Sequence, residues 1–101
     1  MIIYNVTVKA DRAIANKYIE WLKKEHIPDV VGTGCFTHAS VFHLLEADDE
    51  DGITYAIQYH AKNIDHYKNY IANFADEMRR KAADKWGDQC VAFRTVMQAV
   101  N

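Results

Sequence analysis

The order of apolar and polar positions predicts a strand and then a helix at the start of the chain. Residues 1–8 alternate with an approximate period of two, which is typical of a β-strand. Asp11 is a helix-capping residue type, and the apolar positions after it recur at helical spacing, at Ile14, Tyr18, Trp21 and Leu22. We expect this helix to end near His26, because Pro28 disfavours helical backbone at the residue before it.

The middle of the chain has the pattern of a β-hairpin. Residues 35–46 form a long predicted strand that is apolar on both sides. One side carries Phe36, Phe42 and Leu44, and the other carries Val41 and Leu45. The acidic segment 48–52 is a predicted turn, and residues 53–60 alternate again. We therefore expect the second and third strands to pair.

A second helix and a last strand complete the pattern. From Ile64 the apolar positions follow one helical stripe until Gly87 supplies a stop. The stripe consists of Tyr67, Ile71, Phe74, Met78 and Ala82. In the last predicted strand, residues 91–100, apolar side chains alternate with Arg94 and Gln98.

Two strand-helix-strand halves of this order predict an α+β fold. With right-handed crossovers they give the ferredoxin-like β-α-β-β-α-β arrangement, in which both helices cover one face of a four-stranded antiparallel sheet. Because the strands carry many Tyr and Phe residues, the helix-free face would expose more apolar surface than a soluble monomer usually tolerates. We therefore expect a homodimer that forms through the helix-free sheet face.

The composition is that of one packed domain over residues 1–101. Half of the residues (50%) are hydrophobic and the chain has 1 proline and 4 glycines, which predicts a single core and little disorder. The formal net charge of -2 supplies no basic surface of the kind that a phosphate backbone requires. No apolar stretch approaches the roughly 20 residues of a membrane span. Neither nucleic acid nor membrane is an expected partner.

The two cysteines, Cys35 and Cys90, indicate a reducing compartment. They lie far apart and form no C-x-x-C pair, so we interpret them as reduced, small apolar residues. A disulfide between them is compatible with the sequence but is not needed. Since the first residues also lack the basic segment of an export signal, we expect a cytoplasmic protein.

The motifs of metal and cofactor sites are missing. The histidines, His26, His38, His43, His60 and His66, follow no metal-ligand spacing. The acidic turn does not match a calcium-binding loop, because Ala47 and Gln58 would occupy positions that require carboxylates. Phosphate-binding and nucleophile motifs are also missing. We expect no metal site and no cofactor.

Trp21 and His26 form the first candidate site. They place an indole and an imidazole at the predicted end of the first helix, where a pocket between helix and sheet is expected. His26 is a candidate general base, because an ordinary histidine titrates near neutral pH. The alternative is a helix C-terminal histidine stabilised by the helix dipole, with Trp21 in the core. We expect a partly exposed His26 beside a pocket that Trp21 also contacts.

Three polar residues on otherwise hydrophobic strands form the second candidate site. They are Asn5, Gln58 and Arg94. If the first, third and last strands are neighbours, the two amides and the guanidinium project from one sheet face and line a site for a carboxylate or a polarised carbonyl. The alternative is that they satisfy one another or face the dimer interface.

The chain resembles, along its whole length, a family of uncharacterised bacterial proteins without an assigned activity. The resemblance is carried by residues 1–8, 21–28, 33–36, 52–59 and 91–95. More distantly it resembles the dimeric α+β barrel superfamily, which includes cofactor-independent monooxygenases of antibiotic biosynthesis, EthD-like proteins, muconolactone isomerases and stress-responsive barrel proteins. The spacing of His26 and Pro28 is similar to a histidine-proline pattern of EthD-like members, which implies a pocket position for His26.

Three functions are compatible with the sequence. The first is a homodimeric domain that binds a small apolar or aromatic metabolite. The second is a cofactor-independent monooxygenase or isomerase, in which His26 abstracts a proton and Asn5 or Arg94 stabilises the resulting oxyanion. The third is a protein interaction module that uses its outer helix faces. A deep cleft that holds His26 with Arg94 or Asn5 would favour the enzyme. A filled core with an exposed apolar patch would favour the interaction module.

Overall fold

A computed structural model describes residues 1–100 of the chain. Its strands are β1 (Ile2–Asp11), β2 (His38–His43), β3 (Gly52–Ala61) and β4 (Cys90–Gln98). Its helices are α1 (Ala15–Trp21), α2 (Ile27–Val31), α3 (Ile64–Asn73) and α4 (Ala75–Trp86), with a π-helical turn at Leu22–His26 and 3₁₀ turns at Arg12–Ile14 and Gly87–Gln89. The strands pair antiparallel in the order β2-β3-β1-β4. The fold is ferredoxin-like α+β with four antiparallel strands, as the sequence predicts.

The sheet has two unlike faces, because successive side chains of a strand point to opposite sides. The helix-side face consists of Ile2, Tyr4, Val6, Val8 and Ala10 of β1, Ile53, Tyr55, Ile57, Tyr59 and Ala61 of β3, Ala39, Val41 and His43 of β2, and Cys90, Ala92, Arg94, Val96 and Gln98 of β4. The open face consists of Ile3, Asn5, Thr7 and Lys9 of β1, Thr54, Ala56, Gln58 and His60 of β3, His38, Ser40 and Phe42 of β2, and Val91, Phe93, Thr95 and Met97 of β4.

The tyrosines of the strands belong to the helix-side face and fill the core. Tyr4 is 3% exposed, and its ring centroid lies 6.0 Å from that of Tyr59 and 5.7 Å from that of Tyr70 on α3. Tyr18 of α1 lies 6.4 Å from Tyr55. The expectation that tyrosines as well as phenylalanines occupy the helix-free face is therefore wrong for the tyrosines.

The second strand is shorter than the predicted residues 35–46 and begins at His38. Phe36 precedes it and is buried, with its ring 4.9 Å from that of Tyr70. Gly34 has a φ of +84°, a backbone region that favours glycine, and lets the chain turn before Phe36 enters the core. Phe42, by contrast, lies on the open face, so the prediction that Phe36 and Phe42 share a strand face is wrong.

Helical backbone continues through Pro28 to Val31, so the prediction that the first helix ends near His26 is also wrong. A proline ring inside a regular α-helix clashes with the carbonyl four residues earlier and removes one hydrogen bond. Here the wider π-helical turn at Leu22–His26 directly precedes α2, and Pro28 occupies the first turn of α2, where its missing N–H is tolerated. His26 consequently lies inside the helix and not at its C-terminal end.

The caps of the helices agree with the sequence pattern in part. The Asn63 side chain accepts a hydrogen bond from the His66 backbone N–H at 3.0 Å and caps α3. Gly87, with a φ of +57°, ends α4 as predicted. Asp11, the predicted cap of the first helix, is the last residue of β1 and makes no side-chain capping bond.

The second helical segment is interrupted at Phe74, whose φ of -129° separates α3 from α4. The buried side of α3 also differs from the predicted stripe. Tyr70 is 3% exposed whereas Ile71, a member of the predicted stripe, is 36% exposed. Within residues 1–100 no helix combines the length and apolar character that a membrane crossing requires.

Candidate functional site

A cleft of about 170 Å³ lies between the helix-side face and the helices. It is lined by Tyr4, Val6, Val8, Tyr18, Leu22, His26, Ile57, Tyr59, Tyr70, Met78, Arg79, Ala82, Ala83, Trp86, Gly87, Cys90, Ala92 and Arg94. Most of this lining is apolar or aromatic, and the arginines add positive charge. We call this space the cleft.

Of the predicted site residues, His26 and Arg94 line the cleft. Trp21 does not, but its ring stacks on the His26 imidazole with centroids 4.6 Å apart and an interplanar angle of 20°. Trp21 and His26 also share a shallow groove on the outer side of the helix, beside Lys81. The two residues thus share this outer groove, whereas the cleft between helix and sheet, where their common pocket was expected, is lined by His26 and not by Trp21.

Asn5 and Gln58 lie on the other side of the sheet. They are direct partners in the β1–β3 register, on the open face, whereas Arg94 is paired with Val6 and so belongs to the helix-side face. The Asn5 amide donates to the Thr7 hydroxyl at 3.0 Å. The hypothesis that Asn5, Gln58 and Arg94 project from one face is therefore wrong.

His26 is half-buried, and its surroundings keep the imidazole neutral. Burial lowers the pKa of His26 to about 4; the nearby Asp29 carboxylate opposes this shift, while the positive charges of Lys81 and Arg94 reinforce it. Its place inside the helix removes the helix-dipole interaction that was the alternative explanation for a histidine here. At neutral pH the ring is an uncharged donor and acceptor of hydrogen bonds.

Three phenols and a thiol inside the cleft are protonated at neutral pH. Burial raises the pKa values of the Tyr18, Tyr59 and Tyr70 phenols above their ordinary range. Burial also raises the pKa of the Cys90 thiol to about 11. The cleft therefore presents neutral hydroxyl and thiol groups, which donate hydrogen bonds and bring no negative charge.

Trp86 is a cleft residue that the sequence analysis overlooked. It is 9% exposed, and its indole lies edge-on to Tyr18 at 5.7 Å and to Trp21 at 5.8 Å. Its Nε1 is buried and has no hydrogen-bond acceptor among the described residues. The helical stripe through Met78 and Ala82 reaches Trp86 after one further turn, and this spacing was the sequence signal for it.

The arrangement suits binding by packing and hydrogen bonding. Among residues 1–100 no three side chains of the types His, Cys, Asp and Glu converge into a metal-binding group. Arg79 donates a hydrogen bond from Nη2 to the Tyr4 hydroxyl at 3.2 Å, which fixes one guanidinium at the cleft wall. Arg94 brings a second guanidinium to the same cleft from the edge strand β4.

Solved structures similar to this chain share the fold. A dimeric ferredoxin-like protein from an uncultured marine organism has a TM-score of 0.74 at 10% identity, covering 99% of this chain and 95% of its own. An EthD family protein from Bacillus halodurans has a TM-score of 0.67 at 8% identity, with 99% and 100% covered. A protein assigned to the antibiotic biosynthesis monooxygenases, from Deinococcus radiodurans, has a TM-score of 0.60 at 15% identity, with 100% and 94% covered. These likenesses confirm the resemblance to dimeric ferredoxin-like proteins at the level of the fold.

The sequence comparisons point to a family and not to an activity. A family model described as a domain of unknown function, DUF4286, matches residues 1–100. No match to a curated protein is found. The sequence-based resemblance to a family without an assigned activity is thereby confirmed.

Proposed function

We propose that this chain, which belongs to the family of the domain of unknown function DUF4286, is a single-domain, homodimeric protein that binds a small apolar or aromatic molecule in the cleft. The observation that carries the proposal is the cleft of about 170 Å³, whose walls combine aliphatic and aromatic side chains with a few polar groups. Ligand sites of proteins have this composition, in which apolar walls supply affinity and the polar groups fix orientation.

The aromatic walls favour a planar ligand over an aliphatic chain. Tyr18, His26 and Trp86 line the helix end of the cleft. The Tyr18 and Trp86 ring centroids lie 5.7 Å apart, and His26 stacks at 4.6 Å on Trp21, which lies outside the cleft. Aromatic groups pack against one another by offset stacking or edge to face at such distances. A ligand ring entering the cleft gains the same contacts.

The open face supports the homodimer. Phe93 is 68% exposed, Phe42 is 50% exposed and Val91 is 54% exposed, and the pairing of β4, β1, β3 and β2 places all three on this face. Apolar side chains gathered on one surface mark an interaction site. A second copy, related by a two-fold axis and packed face to face, covers this surface in both chains and completes a dimeric α+β barrel with the helices outside. A structural neighbour with the same fold is described as dimeric.

The neutral state of His26 favours binding over catalysis by this residue. A general base works best when its pKa lies near the operating pH, and burial lowers the pKa of His26 to about 4. Asn5 lies on the other face and is out of position to stabilise an oxyanion in the cleft. The imidazole is better suited to hold a ligand by a hydrogen bond.

We place the protein in the cytoplasm under this proposal. Cys35 and Cys90 are both free thiols, Cys35 being buried. Free thiols that pack as small apolar residues are typical of a reducing compartment.

Tryptophan fluorescence gives a direct test of ligand binding, because both tryptophans of the chain lie at the cleft or against His26. We expect benzyl alcohol, a neutral single-ring probe, to change the emission in a saturable way. Ala82→Leu places extra methyl groups in the cleft and should abolish the saturable change. Ala72→Leu, at an exposed position of α3, is the matched control and should bind as the wild type does.

The proposal is wrong if benzyl alcohol causes no saturable change in the wild type. It is also wrong if Ala82→Leu binds benzyl alcohol as well as Ala72→Leu does, provided both variants show the far-UV circular dichroism of the wild type. In that second case the fluorescence change arises from a site outside the cleft.

A further inference from the structure

We infer that the cleft takes a single-ring aromatic acid, whose ring lies against the aromatic walls and whose carboxylate binds Arg94 at the mouth. This inference rests on the function proposed above and adds the chemical class of the ligand. It is carried by the size of the cleft, by the sign of its charge and by the free guanidinium of Arg94.

The size of the cleft limits the ligand to about one ring. The volume is about 170 Å³. An apolar protein cavity of about 150 Å³ accommodates one benzene molecule. A single six-membered ring therefore fits inside, while any polar substituent has to lie toward the opening.

The charge of the cleft is opposite in sign to that of the whole chain. The lining includes Arg79 and Arg94 but no Asp and no Glu among its described residues, although acidic residues outnumber basic ones in the sequence and the formal net charge is -2. A concave site lined by one sign of charge concentrates ligands of the other sign. The cleft is thus complementary to an anion.

Of the two guanidinium groups, Arg94 is the one free to bind a ligand. Arg79 already donates to the Tyr4 hydroxyl at 3.2 Å. The Arg94 side chain makes no hydrogen bond and no ion pair to any of residues 1–100. Arg94 is exposed on the edge strand β4 and also lines the cleft. It therefore lies where the cleft opens to solvent. A planar guanidinium binds a carboxylate through two parallel hydrogen bonds.

The remaining polar groups do not repel an anion. The phenols of Tyr18 and Tyr70 stay protonated, because burial raises their pKa values and outweighs the positive charge of Arg94, which lowers the pKa of both. Trp86 adds a buried Nε1–H without an acceptor among the described residues. The cleft that Arg94 lines thus contains hydrogen-bond donors and no carboxylate side chain among its described residues.

The test compares two probes of nearly equal shape, benzoate and benzamide, by isothermal titration calorimetry and tryptophan fluorescence at neutral pH. We expect the wild type to bind benzoate at least tenfold more tightly than benzamide. Arg94→Gln should weaken benzoate binding by about tenfold to a hundredfold, in line with a charge-assisted hydrogen bond, and leave benzamide binding within about twofold. Arg94→Lys should retain part of the benzoate affinity, because lysine keeps the positive charge but cannot form the bidentate hydrogen bonds of a guanidinium.

Arg80→Gln is the matched control, since Arg80 lies exposed on α4 and does not line the cleft. Equal affinities for benzoate and benzamide, or equal losses in Arg94→Gln and Arg80→Gln, would overturn the aromatic acid as the ligand class and leave the small-molecule function intact. Failure of benzoate, benzamide and benzyl alcohol alike to bind would overturn the proposed function as well. Thermal melting of each variant shows whether a loss of binding reflects a loss of folded protein.

Discussion

The two faces of the sheet are built from the same strands but differ in burial and in the side chains that they carry. On the helix-side face Tyr4 and Tyr59 are each 3% exposed and belong to the core. On the open face their strand neighbours Asn5 and Gln58 pair with each other, and Phe93 is 68% exposed. One residue along a strand thus separates a core aromatic from a polar surface group.

The contrast shows that aromatic content alone does not identify a core. Tyr4, which accepts a hydrogen bond from Arg79, lies in the core beside Phe36, whereas Phe42 and Phe93 lie exposed on the open face. A phenylalanine exposes only apolar surface and so drives association, whereas a tyrosine in the core needs a partner for its hydroxyl. The two faces should therefore respond differently to substitution.

The largest expected effect concerns the stability contributed by the helix-side face. Tyr59→Ala should lower the free energy of unfolding by about 3–5 kcal/mol, the usual loss for a truncated core aromatic. Thr54→Ala, on the open face of the same strand, is the matched control and should cost about 1 kcal/mol or less. Urea denaturation at one fixed protein concentration measures both. Similar losses in the two variants would show that the faces are not energetically distinct.

The next effect concerns association through the open face. Phe93→Asp should weaken the dimer about a thousandfold, because each of the two copies loses a buried aromatic anchor worth about 2 kcal/mol. Ile71→Asp, an apolar-to-acidic change on α3, is the control and should leave the dimer intact. Sedimentation velocity over a concentration series gives the dissociation constants. A monomeric wild type at high micromolar concentration would contradict the prediction at the outset.

The smallest effect is a pH dependence that belongs to the helix side alone. The pKa of His26 is about 4 in the folded protein and about 6.5 in the unfolded chain, so the unfolded chain binds more protons between these values. Above pH 6.5 the titration of His26 therefore does not change the free energy of unfolding. As the pH falls from 6.5 toward 4, protonation of the unfolded chain lowers this free energy by on the order of 1–2 kcal/mol for a half-buried ring.

His26→Gln removes this titration and should flatten the corresponding part of the stability profile. The groups that act on His26 are Asp29, Lys81 and Arg94, and all of them remain in the variant. His66→Gln, at the exposed start of α3, should keep the profile of the wild type. Urea unfolding curves at pH 7 and pH 4.5 give the free energy of unfolding of each variant at the two pH values. The pKa assigned to His26 would be contradicted by parallel profiles for His26→Gln and the wild type.

The sequence predicted the order of elements because each strand and helix has a local period. The alternation of Phe93 against Arg94 in β4 is correct, for example, and so is the end of the second helical segment at Gly87. Local periods also predicted the β2–β3 hairpin. These features depend on neighbouring residues only.

What the sequence could not predict depends on how strands and helices are placed against one another. The register between β4 and β1 decides whether Arg94 lies on the same sheet face as Asn5, and a shift of the register by one residue would move Arg94 to the other face. The continuation of helical backbone past Pro28 depends on the π-helical turn before it, which has no pattern of its own in the sequence. The candidate site was therefore only partly predicted: His26 and Arg94 line the cleft, whereas Trp86 was overlooked.

The π-helical turn also corrects the rotational phase of the helix that contains it. Leu22 and Val30 are both 1% exposed, so they face the same core. A regular α-helix turns by about 100° per residue, which would rotate these two positions by about 80° relative to each other. The wider turn at Leu22–His26 rotates less per residue and so reduces this angle. The extra residue in this turn therefore sets the angular position of α2 around the helix axis. It also sets the direction of the His26 side chain, which belongs to the turn.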